Sequence, residues 1–186
     1  MIQVSSRLVY ENRWLSLRED EIRLPDGSPG IYTVIDKPTA ALIIPMEREG
    51  CHLVEQYRYP IERRSWEFPQ GTWGDGRSGT TEDLARTELS EETGLRAGSM
   101  EWIGRMALAP GLTSQRCEVF LATGLTSGPA AREHTEQGMD QRWFAGKELM
   151  AMVDAGEIID SVTLGALALL LRREPAFGRS TPAAGS

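Results

Sequence analysis

Apolar and polar residues alternate through Arg7-Leu8-Val9-Tyr10 and again over residues 15–24, the period of a strand with one wet face. Pro25-Asp26-Gly27-Ser28-Pro29-Gly30 has turn composition and residues 31–35 return, so this stretch predicts a small antiparallel sheet. The pattern then changes. Residues 40–45 and 51–57 are apolar runs on either side of Glu47-Arg48-Glu49-Gly50, as expected of strands covered on both faces. Residues 102–108, 117–122 and 141–144 read as further strands. Thr80 or Thr81 can cap a helix over about residues 82–93 that Gly94 stops, and two more helices are predicted over about 146–155 and 161–173. The order of strands, helix, strands and terminal helices predicts an α/β sandwich around a mixed sheet. Its expected organisation is an N-terminal sheet over 1–37, a main domain over 38–174 and a flexible tail rich in Pro, Gly, Ala and Ser over 175–186.

Composition narrows the chemistry. Among 186 residues, 20 Lys and Arg face 27 Asp and Glu, a net charge of -7, the wrong sign for a protein that coats nucleic acid. No apolar run approaches the roughly 20 residues that span a bilayer, and no leader pattern opens the chain, so the expected setting is cytoplasmic. Cys51 and Cys117 lie far apart in apolar stretches and read as buried thiols. With only His52 and His134 as imidazoles, any metal is expected to be a hard cation held by carboxylates.

The informative segment is Glu88-Leu89-Ser90-Glu91-Glu92-Thr93-Gly94-Leu95. On a helix, residues three and four apart share a face, so Glu88, Glu91 and Glu92 project together while Leu84, Ala85 and Leu89 can turn inward. Like charges repel unless water or a cation neutralises them, and Mg²⁺ would do so. An isolated acidic face is usually only solvated. Here it follows Trp66-Glu67-Phe68-Pro69 and the glycine-rich Gln70-Gly71-Thr72-Trp73-Gly74, which could bring carbonyl groups and carboxylates to one ion.

Residues 71–95 resemble the Nudix box, G-x5-E-x7-R-E-U-x-E-E-x-G-U with U aliphatic. Glu88 to Leu95 match every specified position, whereas Gly71 lies two residues too far upstream, Gly79 replaces the first glutamate and Thr87 replaces the arginine, with Arg86 one place early. Gln56-Tyr57-Arg58, Trp66-Glu67-Phe68-Pro69-Gln70-Gly71, Ala109-Pro110-Gly111-Leu112-Thr113-Ser114 and Gly156-Glu157-Ile158-Ile159-Asp160-Ser161 are similar to segments of the ADP-ribose pyrophosphatase branch. So are Asn12-Arg13-Trp14 and the hairpin after them, which that branch uses to build a homodimer.

The resemblance implies a Nudix fold and Mg²⁺-dependent hydrolysis, with Mn²⁺ as a substitute, of a nucleotide substrate such as ADP-ribose. Alternatives are another nucleotide sugar, a dinucleotide, or a weakly catalytic module that binds nucleotide. It implies Glu88 and Glu92 as metal ligands, with Glu91 third and the Gln70 carbonyl beside them. The general base falls on Glu136, with Glu133 second, in the acidic stretch 133–140. Arg58 is expected to meet a phosphate or to pair with Glu67, and Trp14 and Tyr32 to stack on adenine.

Overall fold

Strand β4 (Ala40–Glu47) is apolar throughout its first six residues because it runs between two helical layers. Leu42 and Ile44 enter the core under α2 (Gly146–Asp154) and α3 (Ser161–Arg173), and Ala41 and Ile43 enter the core under α1 (Thr81–Thr93). The protein is described from a computed structural model covering residues 1–74, 76–130 and 138–179. β4 pairs in parallel with β9 (Arg116–Ser127) and antiparallel with β5 (Gly50–Arg58) and β7 (Gln70–Thr72). β8 (Leu95–Ala107) continues the sheet on β9, and β6 (Arg63–Glu67) and β10 (Asp140–Ala145) flank β5. Among the described residues the result is the expected α/β/α sandwich with a mixed seven-stranded sheet.

The first hairpins form a separate three-stranded antiparallel sheet, β1 (Ile2–Glu11), β2 (Ser16–Arg23) and β3 (Pro29–Asp36). All of β1 is exposed, including Ile2, Val4, Leu8, Val9 and Tyr10. The main domain holds this sheet through β3: Ile35 N–H donates to Leu112 O at 2.9 Å, and Ser114 N–H donates to Ile35 O at 3.0 Å.

Several elements depart from the sequence expectation. β7 replaces part of the predicted glycine loop because Gln70, Gly71 and Thr72 pair with β4. β8 begins seven residues before the expected Trp102, since its ladder to β9 runs from Leu95 through polar and glycine positions that carry little strand signal. The chain does not come loose at residue 175, because Phe177 is buried in the core beside α2 and α3. Residues 180–186 lie outside the described residues.

The acidic helix is built as its ends require. Asp83 N–H donates to Thr80 Oγ1 at 3.1 Å and Thr80 N–H donates to Asp83 Oδ2 at 3.0 Å, a reciprocal cap. Gly94 closes the helix at a φ of 73°, a left-handed value open to glycine. Cys51 and Cys117 are buried free thiols, and burial pushes the Cys117 thiol up to about 12. Among the described residues, no helix is long and apolar enough to cross a membrane.

Candidate active site

Helix α1 packs Leu84, Ala85 and Leu89 into the core, and this seating decides where its carboxylates go. Glu88 is 7% and Glu92 2% exposed, and both line a cleft of about 430 Å³. They are about 40° apart around the helix, whereas Glu91 leans to the far side of Glu88, about 100° from Glu92. Glu91 accordingly accepts from Arg77 Nη1 at 3.1 Å and is absent from the cleft lining. The expected convergence of three carboxylates is therefore replaced by a pair. Among the described residues, no three His, Cys, Asp or Glu side chains stand close enough to hold a metal ion unaided.

The opposite wall comes from β5, β6 and β7. Gly71 backs directly onto Glu88: a Cβ at this position would lie 2.3 Å from Glu88 Oε1, so any larger residue must push that carboxylate aside. Arg58 and Gln70 line the same cleft. The Arg58 guanidinium grips the buried Glu67 in a fork, donating from Nε to Oε1 at 3.0 Å and from Nη2 to Oε2. Gln70 Nε2 donates to Glu67 Oε2 at 3.2 Å and to Asp160 Oδ2 at 3.4 Å, and Asp160 caps α3 by accepting from Thr163 N–H at 2.8 Å. Burial pushes the Arg58 guanidinium down, but Glu67, with Asp160 and Glu92 behind it, outweighs that and raises it above the ordinary arginine value. Arg58 thus pairs with Glu67, one of the two expectations for it, and also lines the cleft.

At the cleft mouth stand Arg13 and Trp14, with the Arg13 guanidinium 4.2 Å from the Trp14 ring centre. Trp14 is 61% exposed, leaving a face open for stacking. Tyr32 is not part of this lining, and its hydroxyl donates to Gly111 O at 2.8 Å. Glu133 and Glu136 lie outside the described residues. A larger, mainly apolar cavity of about 970 Å³, lined in part by Met46, Trp143 and Phe177, contains none of the expected site residues.

Sequence reasoning missed Trp73, Arg77 and Asp160. Trp73 lines the cleft and fills the space beside Gly79, where a Cβ would lie 3.0 Å from Trp73 Cζ2. The two-residue expansion of the loop was the signal for these neighbours, but it did not say which side chain would turn inward. Arg86, the nearest substitute for the absent box arginine, points elsewhere: its Nε donates to Glu82 Oε1 at 3.0 Å and its Nη1 to Ala97 O at 3.1 Å.

A family described as NUDIX domain matches residues 36–162, and one described as nucleoside diphosphate sugar hydrolase N-terminal domain matches residues 1–35. An ADP-ribose pyrophosphatase of Mycobacterium tuberculosis is 32% identical over 169 residues, covering 89% of this chain and 81% of its own. A methanol dehydrogenase activator of Bacillus methanolicus is 27% identical over 178 residues, covering 92% of each chain. In fold, the crystal structure of an ADP compounds hydrolase superposes with a TM-score of 0.81 at 19% identity, over 96% of each chain. The match across the main domain, residues 36–162, establishes that the chain belongs to the NUDIX family.

Proposed function

We propose that this NUDIX enzyme hydrolyses the pyrophosphate bridge of a nucleoside diphosphate joined to a second moiety, with ADP-ribose as the substrate and AMP and ribose 5-phosphate as products. The observation that carries this reading is the buried pair Glu88 and Glu92, facing Arg58 and Gln70 in one polar cleft. The N-terminal match to nucleoside diphosphate sugar hydrolases and the similarity to an ADP-ribose pyrophosphatase favour this substrate class.

The donors suit Mg²⁺. That ion is commonly bound by one or two carboxylates together with substrate phosphates and water, so it needs no closed cage of protein ligands. Glu88 and Glu92 would hold it, with the Gln70 carbonyl beside them, and the bare Cα of Gly71 keeps the Glu88 side of the cradle open. When bound, Mg²⁺ or Mn²⁺ would supply positive charge at the phosphate oxygens and lower the pKa of attacking water. The chain does the rest. Arg58, cationic throughout the neutral range as any arginine is, orients a phosphate while Glu67 and Gln70 restrain it. Trp14 stacks on the base and Arg13 steadies the ring. Water adds to one phosphorus, the bridging oxygen leaves with the other phosphate, and the water proton passes to a carboxylate, assigned here to Glu136 and next to Glu133.

The exposed apolar residues of β1 support a homodimer built on the N-terminal sheet, because a strand with Ile2, Val4, Leu8, Val9 and Tyr10 all open to water invites a partner surface. Tyr32, which is not among the residues lining the cleft of its own chain, is then a candidate for the partner's cleft.

Incubation with ADP-ribose, other nucleotide sugars and dinucleotides, with Mg²⁺ or Mn²⁺ and with or without chelator, tests the reading through release of monophosphate. Chelator-sensitive production of AMP from ADP-ribose is expected. Turnover confined to another compound changes the substrate, and nucleotide binding without product contradicts the assignment.

A further inference from the structure

We infer that Arg77 is a positioning residue of this active site, neutralising Glu91 from the expanded loop because helix α1 has no cation free to do so. The inference rests on the reading of Glu88 and Glu92 as the metal-holding pair.

The three carboxylates lie within five positions of one helix, so an uncompensated Glu91 would add a third negative charge beside a pair already sufficient for one divalent cation. Arg86, the sole basic residue of α1, is committed to Glu82 and Ala97 O. Thr87, one turn before Glu91, turns its hydroxyl back to Asp83 O at 2.9 Å. The compensating charge comes from outside the helix, where Arg77 Nη1 donates to Glu91 Oε1 at 3.1 Å.

Arg77 is also tied to the cleft wall. Its backbone N–H donates to Gly74 O at 3.0 Å, closing a turn, and its guanidinium lies 5.8 Å from the Trp73 ring centre. Trp73 and Gly74 both line the cleft, and Trp73 packs against the space left by Gly79. One guanidinium therefore links the third carboxylate of α1 to the indole that walls the site. The loop residues that interrupt the box pattern supply both the cation missing at Thr87 and the bulk missing at Gly79.

The test compares Arg77→Ala with Arg77→Ala/Thr87→Arg and Arg77→Ala/Glu91→Gln, reading Mn²⁺ affinity by electron paramagnetic resonance and kcat/KM by product release. An arginine at 87 lies in i, i+4 reach of Glu91 and restores the cation from the helix. Arg77→Ala is expected to tighten Mn²⁺ binding about two- to fivefold, because the uncovered Glu91 charge adds to the field of the pair. Its kcat/KM is expected to fall about tenfold as the cleft wall loses its tie. Thr87→Arg should return Mn²⁺ affinity to the wild-type value, and Glu91→Gln should abolish the tightening. Loosening of the fold alone would weaken Mn²⁺ binding instead, so unchanged or weaker binding in Arg77→Ala overturns the assignment of Arg77 alone. Failure of the wild-type chain to bind Mn²⁺ overturns the metal reading and this inference with it. Wild-type Mn²⁺ binding without hydrolysis overturns the substrate reading, and Arg77 is still judged by the Mn²⁺ affinities.

Discussion

Two sides of helix α1 carry the same residue type in different surroundings. Glu88 and Glu92 are buried on the side facing Gly71, while Glu91, adjacent in sequence to Glu92, is turned outward to Arg77. Helical register and the seating of Leu84, Ala85 and Leu89 decide which carboxylates face the cleft. A run of acidic residues is thus a list of candidates, and the packing of the opposite face selects among them.

The largest expected effect comes from the cleft side. Glu92→Gln should lower kcat by about two to three orders of magnitude with little change in melting temperature, because it removes one charge from the reacting site and keeps its volume. Steady-state kinetics beside thermal unfolding checks this, and a loss no greater than that from Glu91→Gln would erase the distinction between the two sides. Gly71→Ala should follow at about a hundredfold loss in kcat, since a Cβ 2.3 Å from Glu88 Oε1 must displace that carboxylate. Its readout is kcat at saturating substrate and metal, so that weaker binding is not mistaken for misplacement.

Arg58→Ala acts across the cleft and strands Glu67, whose side chain is 2% exposed. Denaturant unfolding should show a loss of about 1–3 kcal/mol, below the cost of breaking a fully buried pair because the Arg58 side chain is 39% exposed. Thr80→Ala lies at the helix start, beyond the carboxylates. It should cost about 1 kcal/mol of stability and leave kcat unchanged, separating the scaffold of α1 from its chemistry. Thr80 holds the Asp83 carboxyl below its usual value, so this cap stabilises above the unfolded carboxylate pKa and fades as pH falls through the folded one. The difference between wild type and Thr80→Ala should therefore shrink in acid.

Much of this arrangement was legible in the chain. Continuous apolar runs marked β4 and β5 as interior, Thr80 or Thr81 and Gly94 marked the ends of α1, and the spacing put Glu88, Glu91 and Glu92 on one face, of which Glu88 and Glu92 line the cleft. Short-range pattern could not show that Gln70–Thr72 would complete a strand, because the partner that makes it one is β4, far upstream. Nor could it show that Asp160, cap of α3, would meet Gln70, or that Arg77 would find Glu91, since both contacts depend on how separate elements pack. Tyr32 shows another limit of local pattern: it matches an aromatic position of the branch, yet it is not among the residues lining the cleft of its own chain.

The most direct test is a crystal of the chain soaked with Mn²⁺ and a non-hydrolysable ADP-ribose analogue, with anomalous scattering used to find the ion. The account predicts an anomalous peak touching the carboxylates of both Glu88 and Glu92 and an oxygen of the diphosphate. A Mn²⁺ peak bound elsewhere, or a diphosphate seated in the cleft with no ion against these two residues, would contradict it.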